Sequence, residues 1–280
     1  VDEKRQLVGW IDAGSPRGEG ADPLTQIPAA ETEWELGEPD LIVDLPAFDI
    51  PATGVLDYQF FEVKNPLDRD VWVKAVQISP GDRQVVHHAI ATFGASSTLG
   101  ADSDSGESLF QPQLMTFVPG NETYIYPEDT GVYVPANSSF FTQMHYTTYG
   151  RATSDQTRIG LYFADEPPEH VLQHYSILNL ELEIPAGEAE HQAEAYFELQ
   201  RDAVIYALFP HAHYRGRASE FAIRYPDGRE EVVLSSPDYD FNWQRYFQFK
   251  DPIEAPAGTK IIHRTTYDNS TANLSNPDPS

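Results

Sequence analysis

Residues 220–229 read EFAIRYPDGR, and this stretch decides the fold class of the 280-residue chain. A run with β-branched and aromatic residues ends there at Pro226-Asp227-Gly228, where proline presets the first dihedral angle of a turn and glycine accepts a positive φ. The strands on either side of this turn are therefore expected to pair as an antiparallel hairpin. The same rhythm continues along the chain, because 22 prolines and 18 glycines separate short runs rich in Val, Ile, Tyr, Phe and Thr. This rhythm predicts an all-β fold.

Other short runs share the composition of strands, and they occupy residues 56–64, 71–78, 132–134, 140–147, 159–163, 193–199, 203–209 and 246–250. Only residues 3–13 are expected to form a helix. Residues 15–38, rich in glycine, proline and acidic side chains, are interpreted as a linker.

The length of the chain favours two domains, because 280 residues exceed the usual size of one. A strand-like run stops at Pro167 and Pro168, so a domain boundary is expected beside them. We therefore predict an N-terminal helix and linker at residues 1–36. Two antiparallel β-sandwich, jelly-roll-like domains follow in tandem, at residues 37–168 and 169–280.

Composition excludes several kinds of partner and site. The 18 basic and 44 acidic side chains give a net charge of −26, which repels nucleic acid and anionic membrane surfaces. No apolar run is long enough to span a membrane, so neither nucleic-acid binding nor direct membrane insertion is expected. The chain has no cysteine, which rules out disulfides, thiolate ligands and cysteine nucleophiles. A metal ion would therefore be held through nitrogen or oxygen.

Five of the nine histidines fall in three places, which makes them candidate metal ligands. In an extended strand, residues two apart point to the same face, so His211 and His213 are expected to present their imidazoles side by side. His87 and His88 are adjacent and would point to opposite faces. For these two to share a metal ion, the backbone must twist at a strand end or form a bulge.

His145 lies in a predicted strand whose alternation aims it inward with Phe141 and Gln143. Taken alone, it is better explained as a buried structural histidine, and each pair alone is equally well explained as a surface accident. Three such places together favour metal binding. Imidazole suits copper, zinc, iron and nickel, so the ligand type does not select the metal.

Read in order, these places resemble the copper-ligand order of peptidylglycine α-hydroxylating monooxygenase and dopamine β-monooxygenase. The resemblance spans residues 40–275 and rests on His87-His88, Gln143-Met144-His145-Tyr146, Pro210-His211-Ala212-His213 and Gly216. Three further segments resemble bacterial members of this copper type II, ascorbate-dependent family, and they are residues 51–54 (PATG), 239–244 (YDFNWQ) and 267–270 (YDNS).

The resemblance implies two copper ions, one per domain, that face each other across a solvent-filled cleft. It implies that His87, His88 and His145 hold an electron-storing copper, and that His211 and His213 hold an oxygen-activating copper. The implied activity is hydroxylation of a C–H bond of a small substrate, with O2 and electrons from an external reductant such as ascorbate.

This sequence departs from the family in ligand and substrate residues. A methionine completes the second copper site in the family, whereas Met115 and Met144 are both in the first predicted domain, where Met115 is expected to fill the apolar core. The chain stops just before the expected methionine strand, so a longer polypeptide is expected. Phe209 replaces the arginine that grips a substrate carboxylate, which disfavours a carboxylate substrate. The family's disulfides are also missing, so core packing alone must hold the sandwiches.

Residues 5–16, RQLVGWIDAGSP, resemble the closing helix of a c-type cytochrome domain. A short amphipathic helix before a linker explains them equally well. If the resemblance holds, an upstream haem domain would donate the electrons, and the protein would be periplasmic or extracellular, where haem c is assembled.

Two alternatives to an enzyme stay open at this point. The missing methionine favours a non-catalytic copper-binding or electron-transfer module of the same fold. The acidic, tyrosine-rich composition is also compatible with a structural surface subunit whose histidines have no catalytic role.

Overall fold

The computed structural model describes residues 2–20, 33–95, 112–241, 243–276 and 278. The chain divides into two compact units, Val1–Gly37 and Glu38–Ser280. The described residues contain one helix and eighteen strands, so the all-β prediction is confirmed.

Helix α1 of the N-terminal unit spans Asp2–Asp12, as predicted. Gly14 ends it with a φ of 82°, which suits glycine at a helix C-terminus, and the Trp10 indole donates to the carbonyl of Pro16 at 2.8 Å. Residues 21–32, the centre of the predicted linker, lie outside the described residues. No helix in the described part of the chain is long and apolar enough to cross a membrane.

The first β-sandwich of the larger unit contains twelve strands. They are β1 Leu41–Asp44, β2 Phe48–Ile50, β3 Gln59–Lys64, β4 Val71–Ser79, β5 Val86–Gly94, β6 Gln113–Phe117, β7 Thr123–Ile125, β8 Thr130–Val134, β9 Ser139–Tyr146, β10 Thr153–Asp155, β11 Arg158–Phe163 and β12 His170–Val171. One sheet has the order β1-β11-β4-β8-β12 with β7 also on β4, a second has the order β3-β9-β5-β6, and β2 pairs with β10.

Both main sheets contribute to one apolar core. Val73, Ile78, Ala89, Phe140 and Leu161 are among its members, and each is at most 1% exposed. Strands β5 and β9 are the two central strands of their sheet. Side chains that they carry are therefore held on a well-packed support.

The second sandwich contains β13 His191–Glu198, β14 Ala203–Leu208, β15 Gly216–Arg224, β16 Glu230–Ser236, β17 Phe247–Ala255 and β18 Lys260–Tyr267. Its sheets have the orders β13-β18-β15-β16 and β14-β17. Its buried core is smaller and consists of Leu199, Ile205, Leu208, Phe221, Ile223 and Ala255.

The hairpin expected at residues 225–229 is confirmed. Strands β15 and β16 pair antiparallel up to Arg224 and Glu230, and the Tyr225 N–H donates to the carbonyl of Arg229. Gly228 has a φ of 88°, the backbone conformation for which glycine was expected.

The two prolines at residues 167 and 168 do not end the packing of the first sandwich. Strand β12 follows them and pairs in parallel with β8, whereas the other pairings between described strands are antiparallel. Leu172 also packs against the first core. A domain boundary between residues 168 and 169 therefore stays a prediction, within a unit that is compact from Glu38 to Ser280.

Candidate metal centre

The first histidine group is built on a β-bulge. Strands β5 and β9 pair antiparallel with His88 opposite His145, and the register shifts between Val86 and His88. The bulge adds one residue to β5, so the rings of the adjacent His87 and His88 come together. The sequence required such an irregularity if these two histidines were to share a metal ion. Nδ1 of His88 lies 3.1 Å from Nδ1 of His87 and 3.3 Å from Nδ1 of His145.

The three nitrogens fit a metal ion held by imidazole. Each of the three histidines offers a ring nitrogen, and these atoms all lie within 4.8 Å of one another. Metal–imidazole bonds of about 2.0–2.1 Å place two nitrogens roughly 3.3 Å apart at a tetrahedral angle, close to the observed separations. Nitrogen donors of this kind bind copper(II) more tightly than most divalent metals. The first group therefore fits copper, although zinc would also be accepted.

Burial keeps these imidazoles neutral. It lowers the pKa of His88 to about 2, with the neighbouring His145 as the next cause. Burial also lowers the pKa of His145 to about 4, and it lowers that of His87, with His213 adding to the effect. Neutral rings have a free lone pair, so the group is ready to bind a metal ion at neutral pH.

The second histidine pair lies in the connection between β14 and β15, not in a strand as expected. The His211 and His213 rings are nevertheless neighbours, with centroids 5.0 Å apart and planes at 87°. Between them, the Ala212 backbone accepts a hydrogen bond from the Tyr239 hydroxyl at 2.7 Å and donates one to it at 2.9 Å. Gly216 permits this packing, because a Cβ there would lie 2.6 Å from Ala212 Cβ and 3.0 Å from the Tyr239 ring.

Gln244 determines which nitrogen of His211 is free. Its amide nitrogen donates to the carbonyl of Phe241 at 2.9 Å, which orients the amide, so its oxygen faces His211 Nδ1 at 2.6 Å. An amide oxygen only accepts, so Nδ1 carries the hydrogen and Nε2 keeps its lone pair. Burial lowers the pKa of His211 to about 4, against the opposing effect of this hydrogen bond.

The two histidine groups lie close together. The His88 and His211 rings have centroids 6.3 Å apart, closer than the solvent-filled cleft implied by the resemblance. The Phe241 ring from the second sandwich stacks on the His87 ring at a centroid distance of 4.8 Å and 13°, and the Tyr58 ring lies 4.9 Å from the His145 ring. The described part of the structure thus brings all five predicted ligands into one aromatic-lined cluster.

Sequence reasoning missed the supporting side chains Tyr58, Tyr239, Phe241 and Gln244. For the last three, the available signal was the YDFNWQ segment, which entered only as part of a resemblance. Asn242 of that segment lies outside the described residues.

The two methionines and two further histidines, His174 and His263, have other partners. Met115 and Met144 are fully buried members of the first core, as predicted for Met115. His263 is hydrogen-bonded to the Ser219 hydroxyl at 2.8 Å and stacks on Phe221. His174 is packed against Tyr124.

Three comparisons with known proteins bear on this site. No protein-family profile matches the chain. Human DBH-like monooxygenase protein 1 is similar, with 22% identity over 221 residues, and the match covers 68% of this chain. It covers 36% of that protein, so the chain spans about a third of the length of this relative. The similarity agrees with the resemblance found in the sequence.

Similarities to solved structures are weak. A Bacteroides ovatus protein matches 77% of this chain and 34% of its own at 9% identity and a TM-score of 0.21. The turret protein A223 of Sulfolobus turreted icosahedral virus matches 81% of this chain and 95% of its own at 10% identity and a TM-score of 0.16. Neither similarity informs function.

Because several histidines are buried, we expect the free energy of unfolding to fall steeply in acid. Burial lowers the pKa of His174, His211 and His263 to about 4 and that of His88 to about 2. Below the ordinary pKa of about 6.5, the unfolded chain binds protons that the folded chain does not, so stability falls as the pH falls from about 6.5 towards 4. Each buried histidine contributes up to about 1.4 kcal/mol per pH unit in this window.

Urea unfolding of the metal-free protein between pH 7.5 and 4.5 measures this effect. We expect His174→Phe to reduce the slope of the unfolding free energy against pH by up to one bound proton. Stability that is constant between pH 6.5 and 5 would contradict the prediction.

Proposed function

We propose that residues 38–280 form the copper-binding body of a copper type II monooxygenase that hydroxylates a C–H bond of a small substrate. The observation that carries this proposal is the convergence of five imidazoles, of which His88, His211 and His213 line a cavity of about 1240 Å³. Open space beside a nitrogen-rich centre suits a reaction in which O2 and substrate must reach the metal.

We assign the five proposed ligands to two copper ions, as the resemblance implies. His87, His88 and His145 would hold the electron-storing copper, and His211 and His213 the oxygen-activating copper. When bound, copper supplies one-electron transfer and activation of O2. One oxygen atom enters the C–H bond, and the other leaves as water with two electrons from an external reductant and two protons.

The chain's own residues prepare this chemistry. Gln244 holds Nδ1 of His211 so that its Nε2 is free, and a fixed orientation of this kind strengthens metal binding. Phe241 covers His87 and keeps water from that side of the ring. The proximity of His88 to His211 gives electrons a short path between the two groups.

Several features of the working protein are part of the proposal. The reductant is ascorbate or a c-type haem domain, and the compartment is the periplasm or the extracellular space. The resemblance of residues 51–54 and 267–270 to bacterial members supports a bacterial-type protein.

One observation favours a second candidate function, a copper-binding or electron-transfer module without catalysis. Both methionines within the described residues are buried in the first core, so neither provides a thioether near His211 and His213. A site with two imidazoles alone would bind copper but activate O2 poorly.

Anaerobic Cu(I) titration against a chromophoric chelator tests the proposal. We expect two copper ions per chain, and one after the double substitution His211→Ala and His213→Ala. The double substitution His170→Ala and His191→Ala is the matched control and should leave two. A stoichiometry of zero for the unaltered chain would end the metal hypothesis.

Ascorbate-dependent oxygen consumption separates the two candidate functions. It should be measured with both coppers loaded. Turnover supports the monooxygenase, and its absence would support the binding module instead.

A further inference from the structure

The cavity at the histidine cluster has an aromatic wall. Phe209 stacks on His211 at a centroid distance of 6.4 Å and 12°, and it contacts Tyr246 at 4.7 Å. Tyr246 in turn stacks on Tyr124 at 5.2 Å and 8°. These rings all line the cavity, so flat apolar surface extends from the proposed oxygen-activating site into the interior.

This wall carries no net charge at neutral pH. The Tyr246 hydroxyl accepts a hydrogen bond from the Thr116 N–H at 3.2 Å, and burial raises the pKa of Tyr124 to about 12. Burial also lowers the pKa of His174, at the end of the wall, to about 4. A charged ligand placed here would lose its hydration without gaining an opposite charge.

Charged groups occur at the other end of the cavity. Among its described lining residues, the acidic and basic side chains are Arg201, Asp202 and Glu254. They lie beside the start of β14, whose opposite end leads to Phe209 and the histidines. Six residues of strand separate the two ends by roughly 17–20 Å. A molecule that fills the histidine end therefore meets aromatic and neutral groups alone.

We infer that the cavity binds an uncharged molecule with a flat, predominantly apolar ring system. A cavity of about 1240 Å³ exceeds the usual 300–1000 Å³ of small-molecule sites, so it has room for more than a single ring. The identification of this molecule as the substrate rests on the proposed function. Its binding to the cavity does not depend on that function.

Binding to the metal-free protein tests the inference with three matched probes. They are 2-(2-naphthyl)ethanol, 2-naphthylacetate and 2-(2-naphthyl)ethylammonium, which share a ring system and differ in charge. Calorimetry is expected to show the alcohol binding at least about tenfold more tightly than either ion, because only the ions lose hydration without compensation. Equal affinities, or tighter binding of an ion, would overturn the inference.

Two substitutions locate the binding. Phe209→Ala is expected to weaken binding of the alcohol about tenfold, and Tyr196→Ala, which removes an exposed ring of the same sandwich, should leave it unchanged. If Phe209→Ala fails to fold by circular dichroism, Phe209→Leu keeps the apolar volume and should still weaken binding. Unchanged binding in a folded Phe209 variant would place the probe elsewhere and overturn the inference.

The outcome is separable from that of the proposed function. Alcohol binding to a chain that takes up no copper would refute the copper monooxygenase and leave the ligand class standing. Copper-loaded protein that turns over but does not prefer the neutral probe would refute the ligand class alone.

Discussion

His88→Ala is expected to lower the affinity of the first histidine group for Cu(I) by more than 100-fold. His88 is the member whose Nδ1 lies within 3.3 Å of the corresponding atoms of both His87 and His145. Loss of a supporting hydrogen-bond partner alone costs roughly 10–100-fold in metal affinity, and loss of a ligand should cost more. Chelator competition under anaerobic conditions measures the change.

Two further variants separate ligand loss from damage to the fold. His88 is 4% exposed, so alanine also leaves a cavity and lowers stability. His88→Leu fills most of that space and should lose copper equally. His191→Ala, on β13 and outside the proposed ligand set, should keep wild-type affinity. Retained tight binding in a folded His88→Leu protein would remove His88 from the ligand set.

The fold was largely predictable from local patterns. Alternation and turn residues identified β3, β4, β9 and β11, and proline and glycine identified the hairpin after β15. The strand that carries His87 and His88 was missed, because β5 is largely buried and so shows no clean alternation of apolar and polar residues. A twist at a strand end or a bulge was the condition for two adjacent histidines to share a metal ion, and the structure has the bulge.

The grouping of the histidines was partly predictable from the sequence, and their assembly into one cluster was less so. The pairing of His88 with His145 follows from neighbouring strands of one sheet, whereas the approach of His211 to His88 depends on how the two sandwiches pack. That packing is set by contacts distant in sequence, including Phe241 on His87 and the Thr116 N–H on the Tyr246 hydroxyl. No short motif encodes such contacts, so the sequence suggested two separate pockets.

Gln244→Leu is expected to weaken copper binding at His211 and His213 by about 10–100-fold. Leucine has a similar volume but neither accepts from His211 Nδ1 nor donates to the carbonyl of Phe241, the two bonds that the amide makes at 2.6 and 2.9 Å. With that restraint gone, the imidazole can rotate and can place its hydrogen on Nε2, where it blocks the proposed ligand atom. The buried groups left unpaired should also lower the free energy of unfolding by about 1–3 kcal/mol.

Nitrogen-15 NMR of the metal-free protein provides a readout independent of turnover, because the histidine tautomers have different chemical shifts. The wild-type His211 should carry its hydrogen on Nδ1, and the Gln244→Leu protein should show a mixture. Gln244→Glu keeps an oxygen that accepts from Nδ1, so it should preserve the tautomer and more of the copper affinity than leucine does. Gln192→Leu, an exposed position on β13, should change neither quantity. A hydrogen-bonding role for Gln244 requires that a side chain with an acceptor give higher copper affinity than an apolar side chain. Equal copper affinity of the leucine and glutamate variants would therefore mean that Gln244 acts only by filling space.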